Sequence, residues 1–244
     1  MKGKLYVVGV GPGDPELLTI KGLKILNRVP CICVPKGREE GSSLALSIVK
    51  HVVDLDGKEI IEAHFPMKKT ASARDRKAPQ ESCLLDTKWN ETVETVFSIL
   101  GRGIDMAFIT IGDPGIYSTF FYLYDRLLEL DPELDIEIVP GISSINASAA
   151  RAGISLGLAD DKIAIIPATY TESLTSVLES FDTIVLMKAH KVLGAIIRAL
   201  AETGLTTKAL YVSRAGMSDE KIVRNILDVT ESDLNYFSLV IVRK

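Results

Sequence analysis

The sequence predicts an α/β protein of two lobes, and three observations carry that prediction. Short β-branched runs alternate with segments whose apolar residues keep to one helical face. Three of those runs end in turns of glycine, proline, aspartate or serine that lead into a helix start. At 244 residues the chain also exceeds a comfortable single core and suits two domains of ordinary size.

Lys4–Val10 reads as a strand ending in Gly11-Pro12-Gly13, with Asp14 as helix N-cap and Pro15 at the first helical position. The helix that follows spaces Leu17, Leu18, Leu23 and Leu26 on one side, and Pro30 separates it from a strand at Cys31–Val34. A helix over Ser42–Val53 and a strand near Glu59–Ala63 come next. Phe65–Asp86 is polar, aperiodic and interrupted by prolines, so it reads as a long loop. A helix at Thr87–Leu100 leads to a buried strand, Asp105–Ile111, that ends in Gly112-Asp113-Pro114-Gly115. The next helix starts near Ile116 and stops at Asp131-Pro132, before a strand at Ile136–Val139. The domain boundary is expected within residues 118–135, giving domains 1–120 and 121–244. The second domain repeats the alternation, with helices at Ser143–Ala152 and Lys191–Thr203 and strands at Ile163–Pro167, Thr183–Met187 and Ala209–Val212. Lys221–Ile226 and Phe237–Val242 complete it as antiparallel strands.

Composition narrows the function. A net charge of −4 argues against general nucleic-acid binding. The longest apolar runs, such as Met106–Ile111 and Thr183–Met187, fall far short of the roughly 18–20 residues of a membrane span. The N-terminus runs straight into a strand, leaving no room for a signal peptide, so a cytoplasmic location is expected. Cys31, Cys33 and Cys83 make an odd count; they read as reduced and structural, with no metal site.

The turn Gly9-Val10-Gly11-Pro12-Gly13-Asp14 looks at first like a dinucleotide-binding loop. Asp14 stands where that fingerprint needs its third glycine, and Pro35-Lys36 follows the second strand where an acidic residue should hold a ribose. Nicotinamide dinucleotides are therefore not the expected ligand. What the turn offers is a tight, side-chain-poor backbone at the carboxyl end of a strand. Thr110-Ile111-Gly112-Asp113-Pro114-Gly115-Ile116-Tyr117-Ser118 offers a second such turn, with Asp113 either accepting hydrogen bonds from a ligand or capping a helix. Pro140-Gly141-Ile142-Ser143-Ser144 offers a third, with free backbone N–H groups and two hydroxyls at a helix start.

Singly these motifs are weak, but their order and wording are not. GVGPGDPELLT, TIGDPGIYST and PGISS, with Val185-Leu186-Met187-Lys188 and Val212-Ser213-Arg214-Ala215-Gly216, together resemble the tetrapyrrole methylases, the class III methyltransferases, over essentially the whole chain. Phe65-Pro66-Met67 with its long insert, Gly112–Thr119 and the plain Leu186-Met187-Lys188 resemble the branch that methylates C20 of precorrin-2 or its cobalt form. The resemblance implies two α/β domains with S-adenosylmethionine in the cleft between them, and a homodimer. It implies cofactor contacts at Pro12, Gly112, Asp113, Ile116, Ser143, Ser144, Met187 and Ala215. The chain departs from many relatives at Ser213–Gly216, where they carry an asparagine-glycine-threonine run. Sister enzymes acting at C11 or C17, a relative that methylates a modified histidine, and a non-catalytic tetrapyrrole carrier are the alternatives.

Methyl transfer from a sulfonium needs positioning and exclusion of water more than an activated nucleophile. The absence of a Ser-His-Asp or Cys-His set agrees with that. Methylating a carbon that bears hydrogen releases a proton, for which Tyr117 and His64 are the candidates. The histidines otherwise read as satisfied structural residues. The substrate is a polyanion, so Lys36, Arg38, Lys68, Lys69, Arg74, Arg76 and Lys77 are its expected partners, in segments that read either as solvated loop or as a flap over the ligand. No membrane or nucleic-acid partner is expected.

Overall fold

The structure, a computed structural model, describes residues 2–36, 43–64, 82–170 and 173–244, with the side chains of 64, 82–88 and 170 outside that description. The chain forms two compact units, Met1–Ser143 and Ser144–Lys244. The division falls past the expected boundary at residue 120, for a reason that lies in strand pairing. Ile136–Val139 pairs in parallel with Leu5–Gly9, which makes it part of the first sheet.

The first unit runs β1 (Leu5–Gly9), α1 (Ile20–Arg28), β2 (Cys31–Lys36), α2 (Leu44–Val49), β3 (Glu59–His64), α3 (Ser82–Gly101), β4 (Met106–Thr110), α4 (Phe120–Leu130) and β5 (Ile136–Val139). Its sheet is parallel, in the order β3-β2-β4-β1-β5. Side chains alternate across it, as strand geometry requires. Leu5, Val7, Cys31, Cys33, Met106 and Phe108 pack under α3 and α4. Tyr6, Val8, Ile32, Val34, Ala107 and Ile109 pack under α1 and α2. Both faces are covered, which is why these strands read as nearly unbroken apolar runs. Cys31 and Cys33 share one face, and burial pushes the Cys31 thiol up to about 11 and the Cys33 thiol higher still. Neither is a nucleophile at neutral pH.

Several helix starts differ from expectation. Asp14 caps a single 3₁₀ turn, Pro15–Leu17, through Glu16 N–H at 2.9 Å. Thr19 then caps α1 through Gly22 N–H at 3.1 Å. Helix α3 begins at Ser82, so the tail of the expected long loop is helical. Helix α4 begins at Phe120, because Tyr117 takes a left-handed backbone, φ 53°, that no α-helix admits.

The second unit runs α5 (Ser144–Ala152), β6 (Ile163–Pro167), α6 (Leu174–Ser180), β7 (Thr183–Met187), α7 (Leu193–Glu202), β8 (Ala209–Ser213), β9 (Lys221–Val223) and β10 (Ser238–Arg243). The order is β6-β7-β10-β8-β9. Strand β10 is antiparallel to both β7 and β8, so those two point the same way. Ile184, Leu186, Tyr211, Val240 and Val242 form its core with Leu178, Ile196 and Leu200 of the helices. Each such side chain, fully buried, contributes about 1.5–3 kcal/mol. Helix α6, seven residues long, escaped the periodicity reading.

Candidate functional site

Three loops meet at the carboxyl edge of the first sheet, where open α/β sheets bind ligands. They follow the adjacent strands β4, β1 and β5. The β1 and β4 loops continue the pairing past the strands, with Val10 N–H donating to Thr110 O at 2.9 Å and Gly112 N–H to Gly11 O at 2.8 Å. Gly11 and Gly112 both have positive φ, 82° and 73°, so the bridge between them needs glycine.

The fit is tightest around Gly9 and Gly141. A Cβ on Gly141 would lie 2.2 Å from Gly112 O and 2.8 Å from Gly9 Cα. A Cβ on Gly9 would lie 2.6 Å from Gly112 O and 2.7 Å from Gly141 N. All three backbones therefore touch. The Asp113 carboxylate closes the cluster, taking Gly115 N–H on Oδ1 at 2.7 Å and Gly141 N–H on Oδ2 at 2.9 Å. It thus does what neither sequence reading foresaw, tying the second loop to the third, while each oxygen keeps a lone pair for a further donor. Ser118 Oγ lies 3.2 Å from Thr110 Oγ1 and accepts from Phe120 N–H at 3.2 Å.

Pro12, Gly112 and Ser143 are buried here, Asp113 and Ile116 are half-buried, and Gly115 and Tyr117 face outward. Tyr117 is 49 % exposed, yet partial burial still pushes its phenol up. A phenol held protonated is a poor proton acceptor, so Tyr117 is better suited to donating a hydrogen bond.

In the second unit, Met187 and Ser213 end β7 and β8 on either side of the start of β10, where the register sets Met187 against Leu239 and Ser213 against Ser238. Two strand spacings separate them, about 9–10 Å. The next residue on each side is left-handed, Lys188 at φ 58° and Arg214 at φ 54°. Lys188 turns its N–H onto Ser238 O of β10 at 3.1 Å, and Arg214 onto Phe237 O, just before β10, at 2.7 Å. The β8 turn is then stapled by Glu220. Its Oε2 accepts from Gly216 N–H at 2.6 Å, and its Oε1 accepts from Arg151 Nε of α5 at 2.8 Å. Ala215 is buried inside this staple and Met187 is half-buried. Ser144, half-buried, begins α5. An ion pair joins Arg214 to Asp219.

The remaining candidates separate. Lys36 ends β2 with Nζ 2.6 Å from Glu62 Oε2 and only 13 % of its side chain exposed. His64 ends β3 in register with Lys36. Arg38, Lys68, Lys69, Arg74, Arg76 and Lys77 lie outside the described residues. His51 is satisfied locally, its Nδ1 2.6 Å from Ser47 O. His190 is not, among the described residues: its buried Nδ1 has no hydrogen-bond partner, and its ring stands edge-on to Tyr236 at 5.6 Å. Burial, then Lys191, holds the His190 imidazole below its ordinary value. Glu220 is the residue that sequence reasoning missed, and although Lys188 and Arg214 stand in the motifs quoted above, nothing in those motifs marks a left-handed backbone.

The chain is 35% identical to the cobalt-precorrin-2 C(20)-methyltransferase of Salmonella typhimurium strain LT2, over 100% of this chain and 98% of that one. It is 39% identical to a probable cobalt-precorrin-2 C(20)-methyltransferase of Methanocaldococcus jannaschii, over 99% and 96%. The solved uroporphyrin-III C-methyltransferase of Thermus thermophilus, in complex with S-adenosylhomocysteine, shares the fold at a TM-score of 0.65 and 20% identity, over 99% and 98% of the two chains. The model of the Tetrapyrrole (Corrin/Porphyrin) Methylases matches residues 4–229, and this chain belongs to that family.

Proposed function

We propose that the chain transfers a methyl group from S-adenosylmethionine to C20 of precorrin-2 or cobalt-precorrin-2, in cobalamin biosynthesis. The observation that carries this is full-length identity to two relatives named for that reaction, added to the branch marks at Phe65–Met67, Gly112–Thr119 and Leu186–Lys188. Pro12, Gly112, Asp113, Ile116 and Ser143 are its cofactor contacts in the first unit, and Ser144, Met187 and Ala215 those in the second.

These residues suit such a molecule. Backbone N–H and C=O groups, one carboxylate with spare lone pairs and a half-buried Met187 match an adenosine bearing a cationic sulfonium. The cofactor, when bound, supplies a methyl already activated for displacement. The protein's task is to hold the accepting carbon in line and to keep water out, a gain that reaches about 7–11 kcal/mol in model reactions. The locked glycine cluster serves that task, because loops whose backbones touch cannot drift by an ångström. The proton lost from the methylated carbon passes to solvent or along the macrocycle, with Tyr117 orienting the acceptor by donation; His64 is the other candidate. Lys36, Lys68, Lys69, Arg74 and Arg76 receive the acid arms of the substrate. The chain works as a cytoplasmic homodimer without a nucleic-acid or membrane partner.

A single-turnover assay with methyl-labelled S-adenosylmethionine tests the reading, offering precorrin-2 with and without cobalt and locating the label by NMR. Label at C20 is expected, and the faster substrate assigns the pathway. Label at another carbon, or none on either substrate, overturns the proposed acceptor.

A further inference from the structure

Away from the loop cluster, α1 lines an open groove of about 580 Å³ in the first unit, with Tyr6 of β1 and Glu137 of β5. Helix α1 buries Gly22, Ile25 and Leu26 against the sheet. Its neighbouring flank carries Lys21, Lys24 and Arg28 into the groove, at spacings of three and four that set them along one side of the helix. Tyr6, only 6 % exposed, forms the floor. Arg28 Nη2 donates to the Tyr6 hydroxyl at 2.6 Å, and the Arg28 guanidinium and Lys4 Nζ stand 5.2 and 5.4 Å from the ring centroid.

Charge in the groove is one-sided. Lys21, Lys24 and Arg28 face a single lining carboxylate, Glu137. That carboxylate is already held by Lys21 at 2.5 Å and Lys4 at 3.0 Å, and the Lys21 and Lys4 ammoniums keep it below the usual carboxylate range. Among the described residues, neither Lys24 nor Arg28 has a carboxylate partner. A chain of net charge −4 thus concentrates cations in one concave place, which draws anions to it. At 1.5 Å of rise per residue, Lys24 stands about 6 Å and Lys21 about 10 Å along the helix from Arg28. Ile20, 73 % exposed at the mouth, adds an apolar rim.

We infer that this groove is a second ligand site, for a small molecule carrying two or more anionic oxygen groups spaced to span Lys21, Lys24 and Arg28. Phosphates and carboxylates share that chemistry. The carboxylate source is the acid arms of a tetrapyrrole and rests on the function proposed above; the phosphate source does not. Arg28 keeps N–H groups beyond the one given to Tyr6, so it can grip an oxyanion without leaving the floor.

Isothermal titration calorimetry at low ionic strength tests this with the full chain, using inorganic triphosphate and, separately, uroporphyrin. At least one probe is expected to bind, and a Lys24→Gln/Arg28→Gln double variant should weaken that binding about tenfold or more, both positions being exposed. Affinity for S-adenosylhomocysteine should stay unchanged, which separates this site from the loop cluster. Triphosphate binding alone assigns phosphate as the source, and uroporphyrin binding alone assigns carboxylate. Failure of both probes to bind below millimolar concentration overturns the inference, as does a double variant that binds as tightly as the parent. A parallel loss of S-adenosylhomocysteine affinity overturns it too, because the effect then belongs to the fold or to the first loop. Arg28→Lys, which keeps the charge, should recover part of the lost affinity.

Discussion

The two sheets present similar edges built by different means. In the first unit the loops are locked by backbone against backbone, with glycines at 9, 11, 112 and 141 and one carboxylate, Asp113, closing the cluster. In the second unit Lys188 and Arg214 turn their N–H groups onto the carbonyls of Ser238 and Phe237, and a side chain adds the closing tie, Glu220 between Gly216 and Arg151. At Gly9 and Gly141 this lock has no slack, since a Cβ there meets backbone atoms that cannot rotate away. A side-chain staple can weaken by degrees. The first edge should therefore fail abruptly on substitution, and the second should be tunable.

The largest effect tests the lock itself. Gly141→Ala places a methyl 2.2 Å from Gly112 O, and relief requires one of three loops to move. A cost of about 3 kcal/mol or more is expected, which lowers the melting temperature by roughly 10 °C for a unit of this size. Methyl transfer should be lost even where the protein still folds. Gly204→Ala, in the second unit, is the control. Gly204 has positive φ, 69°, which Gly141 does not, and its Cβ would meet nothing within 4 Å, so only the left-handed penalty of about 1–2 kcal/mol applies. Equal melting temperatures for the two variants would remove the distinction between clash and strain, and with it the idea of a lock.

This difference also decided what could be read in the sequence. The strands were legible because each is apolar on one or both faces, and the glycine-rich turns because their composition departs from their surroundings. The common edge of the first two loops followed from strand polarity; that the third joins them did not, since it depends on the pairing of β5 with β1. Their interlock did not, since Gly9, Gly112 and Gly141 touch across stretches of chain that carry no mark of the contact. Asp113 was picked out as an acceptor, but the donor on its second oxygen, Gly141 N–H, is 28 residues away. The sequence starts this helix near Ile116 rather than at Phe120 because nothing in Ile116-Tyr117-Ser118 announces a left-handed tyrosine. Local pattern points to a boundary near residue 120, whereas the units divide after Ser143, because β5 joins β1 by a pairing that local pattern does not encode. Glu220 went unnoticed for the same reason, its partner Arg151 lying 69 residues upstream.

The staple gives the next effect. Glu220→Ala removes the acceptor of Gly216 N–H and releases Arg151, and a charged hydrogen bond of this kind is worth about 1.5–3 kcal/mol. The Arg151 side chain is 60 % exposed, so the ion pair itself adds little and the N–H bond dominates. With Ala215 and Ser144 on the segments that Glu220 joins, the KM for S-adenosylmethionine should rise several-fold while kcat changes little. Glu220→Gln keeps an acceptor for the N–H and should restore most of the affinity. Unchanged cofactor affinity in Glu220→Ala would mean that the β8 turn does not touch the cofactor, and Ala215 would leave the list of contacts.

The smallest effect concerns pH, and it too belongs to the second unit. Lys221 first, then the Thr230 N–H at 2.8 Å and hydroxyl at 2.7 Å, hold the Asp233 carboxyl down at about 2. The same residue's carbonyl accepts from the hydroxyl of the fully buried Tyr211 at 3.0 Å, so this turn anchors the core side of β8. A carboxyl whose folded pKa is depressed contributes stability that is complete above its unfolded value, about 3.9, and is lost as pH falls toward its folded value. Asp233→Asn removes that dependence but leaves the backbone carbonyl for Tyr211. Thermal unfolding from pH 6 to pH 2 should therefore show parent and variant separated by a constant gap down to about pH 4. The gap should then close, with the parent falling more steeply. The ion-pair partner Lys221 is half exposed, so the part of the gap that comes from their attraction should shrink in salt. A gap that persists at pH 2 would mean that Asp233 acts through the shape of its turn. The second edge would then be held by backbone geometry as the first is, and the contrast between the two would be one of degree.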